Sequence, residues 1–74
     1  MRWQSVDSSA ATAVRYNAKR HWLDVEYTNG GRYRYLDVPA DVHQELLAAE
    51  SIGTYLNQYV KPDYRYVRLS PTHA

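Results

Sequence analysis

Positive charge and aromatic rings alternate in two stretches of this 74-residue chain. Arg15, Lys19 and Arg20 are followed by His21 and Trp22, and Lys61, Arg65 and Arg68 interleave with Tyr64 and Tyr66. Residues of these types can hold a single-stranded nucleic acid. Cations neutralise backbone phosphates while unpaired bases stack on the rings, each stacked base contributing roughly 1–3 kcal/mol. If the two clusters converge in space, they form one site for RNA or another single strand. A solvated charged surface with aromatics packed at its edge gives the same pattern. The formal net charge is only +1, so the placement of the cations carries the reading more than their sum.

Other chemistry has less to stand on. The chain has no cysteine, which removes disulfides, thiol catalysis and thiolate metal sites. Ser8, Ser9, His43 and several carboxylates are present, but no spacing sets a nucleophile beside a base and an orienting acid. His43 and Glu45 are two apart on a helix and point to different sides, which is not metal-ligand spacing. His43 is expected on the solvated side. Ser8 and Ser9 read as backbone-satisfying hydroxyls at a strand entrance. The expectation is a binding module and not an enzyme, with no catalytic residue, metal, cofactor or small-molecule substrate assigned. No apolar run reaches the length of a signal-peptide core or membrane span, so the expected setting is cytoplasmic, without a membrane partner.

A protein is the other class of partner. The stretch 64–69 alternates enough to add to a sheet edge, its own or a neighbour's. Eight Tyr and two Trp with no Phe also suit an interface, since buried phenols need partners and belong at a rim. Salt separates the two readings. Binding to phosphates weakens steeply with ionic strength, whereas a tyrosine-rich protein contact survives moderate salt.

The elements that must position these residues are legible in outline. Seventy-four residues make one domain that removes roughly 60% of its surface from water, leaving little room for a deep cavity. Positions 11–16 read as a strand with Thr12, Val14 and Tyr16 on one face, followed by a basic turn at 17–21. Leu23, Val25 and Tyr27 then alternate with Asp24 and Glu26, and Tyr33 and Tyr35 alternate with Arg32 and Arg34. Pairing Tyr27 with Tyr33 and Val25 with Tyr35 leaves Asn29–Gly31 as a three-residue loop with Gly31 left-handed. This register sets Glu26 opposite Arg34 on the solvent side, with Asp24 diagonal to it, as exposed pairs worth less than about 1 kcal/mol each. Val38-Pro39 opens a helix carrying Val42, Leu46 and Ala49, with Pro39 at its first position. Ser51 caps a second helix whose Ile52, Tyr55, Leu56 and Tyr59 form a stripe. That stripe spends the second helix on the core, and Thr54, Asn57 and Gln58 offer no cation, which argues against a helix-turn-helix. The expected fold is α+β: a small antiparallel sheet of three or four strands with two short C-terminal helices packed on one face. Its core holds Val14, Leu23, Val25, Tyr27, Tyr33, Tyr35, Val42, Leu46, Ile52, Leu56 and Val60, with Tyr16, Tyr55 and Tyr59 at the margin. Residues 70–74 read as a loose tail.

The order of Ser8-Ser9, Tyr16, Leu23-Val25-Tyr27, Gly30, Tyr33-x-Tyr35, Val38-Pro39, Ala49-x-Ser51-x-Gly53, Asn57, Lys61 and Tyr64 resembles the KTSC domain. That family takes its name from the C-terminus of some lysyl-tRNA synthetases and also occurs as short stand-alone bacterial and phage proteins. The resemblance covers about residues 6–64 and departs from the family habit at Ala11, where a larger aliphatic is usual, and at Arg15, where a small residue often sits. It implies the fold, brings no catalytic residues, and suggests RNA as a ligand through the synthetase association.

Overall fold

Period-two alternation commits one side of a strand to the interior and the other to solvent, and the helical stripes must then cover the interior side. The computed structural model describes residues 2–69 and follows this plan. Five antiparallel strands run in chain order as a meander: β1 (Gln4–Ser5), β2 (Ala11–Asn17), β3 (Trp22–Tyr27), β4 (Arg32–Tyr35) and β5 (Tyr66–Arg68). Helix α1 (Ala40–Ala48) and helix α2 (Ile52–Tyr55) follow β4, and α2 runs on into a π-helical turn at Leu56–Val60. The α+β class and the two helices agree with expectation, while the sheet has five strands where three or four were expected. The additional strand, β1, is two residues long and too short to carry a period. β5 pairs with this chain's own β4. The suggested loose tail, 70–74, lies outside the described residues.

The core is Ala11, Val14, Leu23, Val25, Tyr35, Val38, Leu46, Leu56 and Val60. Tyr27, Tyr33, Val42 and Ile52, expected inside, are half-buried against it, and Tyr59, expected at the margin, is 53% exposed. Ala11 and Val14 both face inward although they are three apart. A bulge between Ala11 and Ala13 accounts for this, since one extra residue on β2 reverses the face parity. Thr12 is thereby turned to the outer side, away from Val14 and Tyr16, where its hydroxyl donates to Glu26 Oε1 at 2.8 Å.

The β3–β4 hairpin keeps the expected faces but not the expected register. Val25 pairs with Tyr33 and Leu23 with Tyr35, a slide of two residues that leaves every side chain on its predicted side. Tyr27 N–H donates to the Gly31 carbonyl at 2.8 Å, so the loop is Thr28–Gly30, and Gly30 takes the left-handed conformation at φ 93° in place of Gly31. The Asn29 side chain reinforces the turn by accepting from Gly31 N–H at 2.9 Å. In the β2–β3 turn, Asn17 Oδ1 accepts from Lys19 N–H and Arg20 N–H at 3.0 and 3.1 Å, which folds the basic segment back on itself.

Pro39, expected at the first helical position, is the N-cap of α1, so the helix begins one residue later, at Ala40. Ser51 caps α2 as expected, its Oγ accepting from Thr54 N–H at 3.2 Å. His43 does not face solvent. It is half-buried with its ring stacked on Tyr16 at 4.9 Å, and burial lowers its pKa. The Tyr16 hydroxyl donates to the Val38 carbonyl at 2.5 Å, fixing the chain as it leaves the sheet for α1.

Candidate binding cleft

Four tyrosines meet at the hairpin end of the sheet, on the side that faces the helices. Tyr27, Tyr33, Tyr35 and Tyr66 come from β3, β4 and β5 and share the inner face by register. Tyr33 lies edge-on to Tyr27 (centroids 5.6 Å) and to Tyr66 (5.4 Å), and Tyr35 is tilted against Tyr66 at 5.8 Å. Between these rings and the helical segment is a cleft of about 440 Å³, larger than the length of the chain suggested. Gly53 lets the walls approach at its base, because a Cβ there would meet the Ala10 Cβ at 2.8 Å.

The π-helical turn supplies the cleft with its cation. Lys61 N–H donates to the Leu56 carbonyl at 2.8 Å, a five-residue step, so Lys61 stands above Leu56. In a regular α-helix, residues five apart diverge by about 140° around the axis. The wider turn narrows that divergence, and Lys61 Nζ comes to 4.9 Å from the centre of the Tyr27 ring. Leu56 and Val60, four residues apart, stay on the buried side while Tyr59 is turned out. At the far side, the Arg68 guanidinium lies 5.7 Å from the Tyr33 centroid. Among the described residues, no carboxylate lines the cleft, and neither Lys61 nor Arg68 has a salt-bridge partner. The hydroxyls of Tyr27 and Tyr35 are 2.8 Å apart. Burial raises the pKa of both, and for Tyr27 the hydrogen bond to Tyr35 adds to the rise. Both stay neutral, so one hydroxyl hydrogen remains available once the other is spent within the pair.

The opposite face of the sheet is organised around Asp24, which was expected among solvent-exposed pairs and has 0% exposure. The two-residue slide is the reason. It puts Arg34 directly opposite Asp24 and Arg32 opposite Glu26. Arg15, on β2, closes on Asp24 from the other side at 2.7 Å, while Arg34 approaches through Nε at 2.9 Å and Nη2 at 3.1 Å. Two indoles cover the network, with Arg15 4.3 Å from the Trp3 ring centre and Arg34 3.9 Å from that of Trp22. Glu26 receives Arg32 at 2.8 Å, which together with the Thr12 hydrogen bond lowers its pKa.

The two sequence clusters are therefore divided by the sheet. Arg15, Arg20 and Trp22 lie on the outer face, with Arg20 5.1 Å from the Trp22 ring centre, and Lys19 is exposed in the adjoining turn. Lys61, Tyr66 and Arg68 belong to the cleft side. Tyr64 packs half-buried against the core, where burial and nearby carboxylates raise its pKa. The carbonyl of Arg65 accepts from Leu36 N–H at 2.8 Å, beyond the paired residues of β5. The convergence that a single site required does not occur. Tyr35 is core as expected, while Tyr27 and Tyr33, expected in the core, are only half-buried, and the surplus of phenols over phenylalanine was the available sign that some of these rings meet water. Asn57 was marked only as one of the residues that carry the KTSC resemblance.

Residues 7–64 match the family model of the KTSC domain. The chain belongs to the KTSC domain family. A protein of Tsukamurella paurometabola is 44% identical over 89% of this chain and 98% of its own length. An uncharacterized protein of Stutzerimonas stutzeri is 40% identical over 93% of this chain and 99% of its own. A lysine–tRNA ligase of Nostoc is 34% identical over 86% of this chain, a match that spans 11% of the ligase. The crystal structure of a KTSC domain protein from Yersinia pestis superposes with a TM-score of 0.90 at 26% identity, covering 93% of this chain and 97% of that one. Of the residues on which the KTSC resemblance rests, Tyr27, Tyr33, Tyr35, Gly53, Asn57 and Lys61 all line the cleft. Tyr66, outside the matched segment, lines it as well, and Arg68 lies over the neighbouring Tyr33 ring. Among the described residues, no helix is long and apolar enough to cross a membrane.

Proposed function

We propose that this KTSC domain is a non-catalytic module that binds single-stranded RNA, with the tyrosine-lined cleft as its contact site. The observation that carries the reading is the state of its cations. Lys61 and Arg68 lie over tyrosine faces without an acidic partner among the described residues, whereas Arg15, Arg32 and Arg34 are each answered by a carboxylate. Unanswered cations beside accessible rings are the pairing that a phosphate and a base require. The lysine–tRNA ligase relatives, which by name act on a tRNA, lend support from association alone.

Fluorescence anisotropy with a labelled unstructured RNA tests this. Binding is expected at ~50 mM salt and should weaken steeply toward ~200 mM, with a logarithmic slope of about −0.7 per phosphate engaged. No binding at ~50 mM overturns it.

A protein-binding reading draws on one feature, the β5 edge strand, where Tyr66 and Val67 are 57% and 46% exposed. Edge strands of this kind can accept another strand. Association that persists at high salt and leaves RNA unbound would favour it.

A further inference from the structure

We propose that the cleft is a pocket for one unstacked nucleobase, preferring adenine, with its flanking phosphates on Lys61 and Arg68. This rests on the RNA reading for its biological ligand, but the pocket can be tested apart from it. Size is the first argument. About 440 Å³ lies within the range of roughly 300–1,000 Å³ usual for small-ligand sites. Ring availability is the second. Lys61 covers a face of Tyr27 and Arg68 a face of Tyr33, and the contacts of Tyr66 with Tyr33 and Tyr35 are angled rather than face to face. Tyr66 is 57% exposed, which leaves its ring free to stack.

Charge and hydrogen bonding narrow the ligand further. Two cations and no lining carboxylate disfavour a cationic guest, although an aromatic cage would otherwise suit one. A flat ring carrying phosphate satisfies both halves of the site. Within the lining, the Asn29 carboxamide oxygen is engaged by Gly31 N–H. The Asn57 carboxamide is exposed and has no protein partner among the described residues, so it is free to read a base edge. A carboxamide matches adenine in a bidentate manner, accepting from the 6-amino group and donating to N7. The spare hydroxyl hydrogen of the Tyr27–Tyr35 pair is a further donor.

The test uses the full chain with labelled oligo(A) and oligo(U) at ~50 mM salt, and separately AMP, followed through the tyrosine ring resonances by NMR. Oligo(A) should bind about tenfold more tightly than oligo(U), and Asn57→Ala should bring the two to near parity. Tyr66→Leu should weaken both by about tenfold through lost stacking. AMP should shift the Tyr33 and Tyr66 rings, less so in Asn57→Ala. Both positions are exposed, so unchanged unfolding curves will confirm that the variants fold. RNA binding that is indifferent to base and to both variants overturns the pocket while sparing the RNA reading. AMP shifts that depend on Asn57, with neither oligonucleotide bound, sustain the pocket and overturn the RNA reading. If neither AMP nor RNA binds, both are wrong.

Discussion

The two faces of one small sheet handle charge in opposite ways. On the outer face Asp24 lies wholly buried between Arg15 and Arg34, Glu26 holds Arg32, and Trp3 and Trp22 roof the arginines. On the inner face, at the hairpin end, Lys61 and Arg68 rest against tyrosine rings and have no salt-bridge partner among the described residues. The first arrangement is closed, since its charges are consumed internally and its rings are already covered. The second is open. A tally of arginines and aromatics favours the outer face, but three of its guanidiniums are already paired with carboxylates.

The largest expected effect lies on the closed face. Asp24→Ala leaves two half-buried guanidiniums without their anion and should cost about 3–5 kcal/mol in urea unfolding, the range for breaking a buried pair by removing one partner. A cost below about 1 kcal/mol would show that the indoles, and not the ion pairs, hold that face. Next comes Lys61→Ala on the open face. It should lower the salt slope of RNA binding by about 0.7 while costing no more than about 1 kcal/mol of stability, the worth of an exposed cation–π contact. An unchanged slope would mean that this cation meets no phosphate.

An alkaline titration sharpens the contrast from the tyrosine side. Burial, followed by the hydrogen bond to Glu45, pushes the Tyr55 pKa up to about 12, and burial also raises those of Tyr27 and Tyr35. A raised folded-state value means that the native chain keeps these protons longer than the unfolded chain. Their contribution to stability is therefore full below about pH 10 and is lost as pH rises through the folded values. Urea midpoints should fall across that window, and less steeply in Tyr55→Phe. The smallest effect belongs to Arg32→Ala. Its side chain is 48% exposed, and its ion pair with Glu26 should be worth less than about 1 kcal/mol by the same urea measurement.

Much of this was readable from residue types. The alternation of Leu23, Val25 and Tyr27 with two acids, and of Tyr33 and Tyr35 with two arginines, assigned the faces correctly, and Ser51 announced its cap. What escaped were displacements by one or two residues. Face parity cannot tell a hairpin register from its neighbour two residues away, so Tyr33 found Val25 instead of Tyr27. The Ala11–Ala13 bulge and the π-helical turn each insert a residue without a compositional mark. The arginines that close on Asp24 are covered by two tryptophans distant in sequence, Trp3 and Trp22, which no local pattern connects. For the site, the residue types were visible but their allocation to one side of the sheet or the other was not. That depended on which strand followed which.

The widened turn also makes the position of the cleft's lysine a matter of chain length. Wound as an ordinary helix at the same length, the segment would turn Lys61 about 140° away from Leu56, whereas removing one of residues 57–59 would restore a four-residue step and keep the lysine above it. The ammonium thus holds its place over Tyr27 only because the extra residue and the wider turn come together.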